Sequence, residues 1–153
     1  MPNGRPIHIL HVEDDPAHAE IVRRNLAEFR VANRITHLSD GQAALDYLNR
    51  PAGDFREPDC PRPDLILLDL RLPKVDGLEV LRHLKSSPEL RRIPTVILTT
   101  SNAEQDVVRA YELGAGSYLV KPVDFQKFTA LLQSIGYYWL AWNERPFPTE
   151  SRT

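Results

Sequence analysis

The chain has a single cysteine, Cys60, a single methionine at its start and only seven glycines in 153 residues. One cysteine cannot close an intramolecular disulfide, so the apolar core alone must hold the fold. A domain of this length can bury about two thirds of its unfolded surface, which is enough. No apolar run approaches the roughly 20 residues of a membrane span, and the start lacks the flanks of a signal peptide. A soluble cytoplasmic protein is expected. Neither charge is in excess, since 19 Lys and Arg face 21 Asp and Glu. Without a basic footprint there is no ground for a nucleic-acid role.

What is present is organised around Leu65 to Gly77, LILLDLRLPKVDG. Four aliphatic residues in a row are too few for a buried helix and read as a strand covered on both faces, ending at the carboxylate Asp69. Before it come two βα units. Ile7, Ile9, Leu10 and Val12 form a strand that runs into Glu13, Asp14 and Asp15. Asp15-Pro16 then opens a helix to about Arg30, with the aspartate capping free amides. Asn33 to Leu38 is a weaker strand, and Asp40-Gly41 opens the next helix. The connection 50–63 carries Pro51, Pro58, Pro61 and Pro63 and is too broken for a regular element. Loops this long are uncommon inside compact domains.

After the central strand, Asp76-Gly77 starts a helix that ends near Ser87-Pro88, and Pro94 to Thr99 is the fourth strand. Ser101 and Glu104 have capping-box spacing before a helix from about Asn102 to Leu113, closed by Gly114. Ser117 to Val120 is the fifth strand, followed by Lys121-Pro122 and a last helix capped by Asp124. Five βα units with right-handed crossovers make one α/β, three-layer, doubly wound (βα)5 sandwich with every strand end on one rim.

Ligands of open α/β sheets gather at that rim, where Glu13-Asp14, Asp69, Thr99 and Lys121 all fall. If the parallel order is 2-1-3-4-5, strands one and three are neighbours and three carboxylates crowd together. Two carboxylates about 4 Å apart repel by about 4 kcal/mol at an effective dielectric near 20, so the cluster needs a cation. Hard oxygen donors with room for water and phosphate suit Mg²⁺. A metal-bound carboxylate beside a lysine is a coherent phosphoryl-transfer site, with Asp69 as nucleophile, Lys121 pairing with the phosphate and Thr99 donating to it.

The pieces Val12-Glu13-Asp14-Asp15, Leu68 to Pro73 with Asp76-Gly77, Thr99-Thr100-Ser101, Gly114-Ala115 and Lys121-Pro122 resemble, in order and spacing over residues 7–135, the receiver domain of two-component response regulators. The resemblance implies a flavodoxin-like fold. It implies a Mg²⁺-dependent phosphoacceptor at Asp69 supplied by a sensor histidine kinase, not an enzyme acting on a separate substrate. It also implies metal binding by Asp14, Asp69 and the backbone carbonyl of Arg71, with Glu13 acting directly or through water. Thr99 and Lys121 match the family's switch hydroxyl and lysine, and Tyr118 its switch aromatic. The Lys121-Pro122 bond is expected to be cis. Asp15 reads as a cap. Thr100 stands where many relatives carry a smaller residue, which puts access to the phosphoryl group in question. The proline-rich insert and aromatic extension resemble the small regulators paired with bacterial phytochromes.

Residues 1–143 read as this one domain and 144–153 as an irregular tail, leaving no room for a DNA-binding domain. In the last helix Phe125, Phe128, Leu132, Ile135, Trp139 and Trp142 recur at spacings of 3, 4, 3, 4, 3. That is a heptad seam. Phe125, Phe128 and Leu132 are expected in the core, and a symmetric homodimer is expected through this helix, along its seam, and the surface next to it, with a break in the helix allowed at Gly136. His8, His11, His18, His37 and His83 show no ligand spacing and read as structural or surface residues. Two rival readings remain: a degenerate receiver acting as a scaffold, opposed by the intact acidic set, and a dehalogenase-type phosphatase. The latter family places an aspartate two residues after its nucleophile, where this chain has Arg71.

Overall fold

The computed structural model describes residues 6–29, 33–50 and 62–142, without the side chains of 141 and 142. Cys60, nearly all of the insert 50–63 and the tail 144–153 lie outside the described residues.

Strand and helix alternate as β1 (Ile7–Val12), α1 (Pro16–Ala27), β2 (Asn33–Leu38), α2 (Gly41–Leu48), β3 (Leu65–Leu68), α3 (Gly77–Ser86), β4 (Thr95–Thr99), α4 (Glu104–Glu112), β5 (Ser117–Val120) and α5 (Phe125–Gly136). All pairings are parallel and the order is β2-β1-β3-β4-β5, the doubly wound sheet expected from the sequence. Because successive strand residues face opposite ways, each central strand feeds two cores. Leu10, Val12, Ile66, Leu68 and Ile97 pack under α2, α3 and α4. Ile7, Ile9, Leu65, Leu67, Val96 and Leu98 pack under α1 and α5. β1, β3 and β4 are buried along their whole lengths, whereas the edge strands β2 and β5 are partly open.

Capping follows the sequence at three helices. Asp15 accepts from the amides of Ala17 and His18, Asp40 from Ala43, and Asp124 from Lys127. At α4 it does not. The helix begins at Glu104 after Ala103, without a side-chain cap, because the Ser101 hydroxyl donates to the Asp106 carboxylate instead.

The end of the chain corrects the heptad reading. Phe128, Leu132 and Ile135 are buried in the domain's own core, so they are not free to meet a second copy. Phe125, expected inside, is 62% exposed. Trp139 is half-buried against the same core, and Trp142 lies outside the described side chains. Beyond Gly136 the backbone winds on as a wider π-helical stretch, Tyr137–Trp142. A Cβ at Gly136 would sit 2.2 Å from the ring of Phe29, which follows α1 and stacks edge-on with Tyr137. The glycine is there to let α1 and α5 close on each other.

Candidate phosphoacceptor and metal site

The backbone ladder carries the chemistry to the rim. Val12 pairs with Leu68, and one residue later the Asp69 amide donates to the Val12 carbonyl at 3.1 Å. On the other side Thr99 pairs with Val120, and the Lys121 amide donates to the Thr99 carbonyl at 2.7 Å. Glu13, Asp69, Thr99 and Lys121 are therefore fixed by the ends of four adjacent strands, and all four are buried.

Carboxylate oxygens of Glu13, Asp14 and Asp69 lie within 4.8 Å of one another, Asp14 on the solvent side. Lys121 Nζ reaches into the group. It donates to Asp69 Oδ2 at 2.9 Å, makes a close contact with Glu13 Oε1 and donates to His18 Nδ1 at 3.0 Å. Three carboxylates and one ammonium leave a formal charge equal and opposite to that of a divalent cation. All-oxygen donors of this kind fit Mg²⁺ or Mn²⁺.

Electrostatics separates the two buried acids. Burial pushes Asp69 up, but the Lys121 charge, the Thr99 hydroxyl and the Arg71 amide outweigh it and hold the carboxyl below its ordinary value. Asp69 is thus an anion, which a nucleophile must be. At Glu13 burial, with the neighbouring Asp69 charge, outweighs the opposing pull of Lys121, and its carboxyl is pushed up to about 7.

Comparison with known proteins agrees with this geometry. The model of the response regulator receiver domain matches residues 9–133. The chain belongs to the response regulator receiver family. Among curated relatives, the probable methanogenesis regulatory protein FilR2 of Methanothrix harundinacea is 47% identical over 143 residues, covering 94% of this chain and 90% of the relative. Response regulator Rcp1 of Synechocystis is 42% identical over 135 residues, covering 88% and 90%. The Mn²⁺-bound structure of Rcp1 has a TM-score of 0.86 at 40% identity, covering 93% of this chain and all of that one. The phosphorylated cyanobacterial phytochrome response regulator RcpA has the same TM-score at 35% identity, covering 94% and 100%.

One feature of this receiver departs from expectation. Every peptide bond among the described residues is trans, Lys121-Pro122 included, contrary to the cis bond expected. The long lysine side chain still reaches both carboxylates from the trans backbone. Tyr118 is half-buried, and its hydroxyl donates to the Ser101 carbonyl at 2.9 Å. Arg71 donates its amide to Asp69 Oδ1 at 3.3 Å, while its guanidinium pairs with Asp106 on α4. Thr100 is exposed beside the site.

Of the histidines, His8 and His11 are buried, and His37 lies 2.7 Å from the Glu13 carbonyl. His18 touches Lys121, which reading the sequence missed. Position three of α1 looks like surface, and the signal lay only in the turn that aims α1 from the rim.

Proposed function

We propose that this receiver accepts a phosphoryl group on Asp69 from the phosphohistidine of a sensor histidine kinase, and that the phosphorylated protein signals through contacts with other proteins. The observation that carries the reading is the meeting of an anionic Asp69, Lys121 and Thr99 with a three-carboxylate cluster at one rim. An Asp69 oxygen attacks phosphorus, the P–N bond breaks and the imidazole leaves, giving an acyl phosphate. Lys121 and Thr99 stand where they can neutralise and hydrogen-bond the incoming oxygens. Asp14, Asp69, Glu13 and the Arg71 carbonyl would hold Mg²⁺, which supplies charge neutralisation at the transferring group. Thr99 and Tyr118 act as the switch pair, Tyr118 through its bond to the loop after β4. The protein assists its own phosphorylation and dephosphorylation and works in the cytoplasm. Its likeness to Rcp1 and RcpA, the latter named as a phytochrome response regulator, favours a phytochrome-class kinase as donor.

Acetyl phosphate with Mg²⁺ tests the assignment. Wild type should gain one phosphoryl mass, and Asp69→Asn or removal of Mg²⁺ should abolish it. A hydroxylamine-labile adduct on Asp69→Asn would sink the assignment.

Self-association is the second part of the proposal. The seam inside α5 is occupied, so the surface next to it is the candidate: Val108 and Tyr111 on α4, Val120 on β5, Val123 and Phe125 are all large, apolar and exposed. A second copy of the chain covers this face in a homodimer.

A further inference from the structure

We infer that His18 is a positioning residue for phosphoryl transfer, holding Lys121 Nζ in place through Nδ1. The inference rests on the reading of Asp69 as phosphoacceptor. A lysine ammonium has three donors and no acceptor. Here it meets three partners: Asp69 Oδ2, Glu13 Oε1 and His18 Nδ1. Both carboxylates belong to the acidic cluster, so a cation or a phosphoryl group competes with Lys121 for them. His18 stands outside that cluster.

Accepting at Nδ1 requires the tautomer with its hydrogen on Nε2. That nitrogen faces Asp15 Oδ2 at 3.6 Å, and Asp15 is itself pinned as the cap of α1. The ring is gripped from the other side by Phe128 of α5, edge-on, with centroids 5.7 Å apart. The imidazole is therefore oriented by two elements before anything binds, as a group must be if it is to fix another in place. Without it, the ammonium keeps only partners that the reaction takes away, and it samples positions from which it cannot meet the incoming oxygens.

His18→Phe keeps a ring against Phe128 and removes the acceptor; His18→Asn restores an acceptor near the Nδ1 position. With acetyl phosphate and Mg²⁺, His18→Phe should be phosphorylated about fivefold to twentyfold more slowly than wild type, as expected for losing one hydrogen bond to a charged group. His18→Asn should return to within about threefold of wild type, a rescue that a packing role would not produce. Should His18→Phe not fold, His18→Leu makes the same comparison. Long-range ¹H–¹⁵N spectra of the unphosphorylated protein should show the Nε2–H tautomer at His18. A wild-type rate in His18→Phe, a His18→Asn as slow as His18→Phe, or a hydrogen on Nδ1 would each overturn the inference. A wild type that takes up no phosphoryl mass would instead refute the phosphoacceptor reading.

Discussion

His11 and Glu13 lie two residues apart on the same strand end, and burial acts on them with opposite results. His11 is inside β1, where burial, then the neighbouring His37 and Lys121, lower its pKa to about 3. An unfolded histidine takes a proton below about 6.5 while the folded one cannot, so stability falls as pH drops through that window. Relative to His11→Gln, wild type should lose about 2 kcal/mol between pH 6.5 and 5, measured by urea unfolding at each pH. An unchanged difference would mean that His11 is protonated in the fold. Glu13 runs the other way: with its pKa raised from 4.5 to about 7, its contribution to stability falls as pH climbs through that range. A cation can use this carboxylate only after the proton has left. Mg²⁺ affinity, followed by calorimetry, should therefore rise with pH through neutrality, and Glu13→Gln should be weaker and flatter.

Elements deliver these residues by close approach. The loop from β3 to α3 folds so tightly that a Cβ on Gly77 would lie 2.1 Å from the Asp69 carbonyl oxygen, and the Gly77 amide donates to the Leu70 carbonyl at 2.8 Å. Backbone on both sides cannot yield, so Gly77→Ala should cost about 2 to 3 kcal/mol by chemical denaturation and should also weaken Mg²⁺ binding by shifting Arg71. Retained stability with unchanged Mg²⁺ affinity would contradict this packing. Such features mark where sequence reading stops. The βα order, the strand ends and the caps at Asp15, Asp40 and Asp124 were legible because they rest on local periodicity and turn chemistry. The Ser101-Asp106-Arg71 network was not, since a serine with glutamate three residues on has the spacing of a capping box, and nothing local shows that the serine turns instead to Asp106 of α4, which also pairs with Arg71 after β3. The heptad in α5 misled for a related reason: period 3.5 tells which side of a helix is apolar, not whether its own sheet or another chain covers it.

At the scale of the molecule, large apolar side chains among the described residues are left exposed on the face of α4, β5 and the start of α5, and at Tyr137 and Tyr138 past its end. β5 is an edge strand, and Tyr111 of α4 lies across it, its hydroxyl accepting from the Tyr118 amide at 3.2 Å. Val120 stands on this edge, and Val123 and Phe125 follow it directly, leaving a band of apolar side chains at the border of the strand that ends in Lys121. Edges and patches of this kind are covered in stable proteins, and a twofold arrangement lets the same band cover itself. Because β5 also carries Tyr118, the proposed phosphorylation at Asp69 would have a short route to the proposed interface. Light scattering at rising concentration, with and without a phosphoryl mimic, should show a dimer that Phe125→Glu and Val123→Glu dissociate. Trp139→Ala should leave that dimer intact but lower the unfolding free energy by about 2 kcal/mol, since Trp139 packs on its own core. Dissociation by Trp139→Ala with unchanged stability would return the interface to the end of α5. A wild type that stays monomeric at high micromolar concentration in both states would remove the dimer altogether.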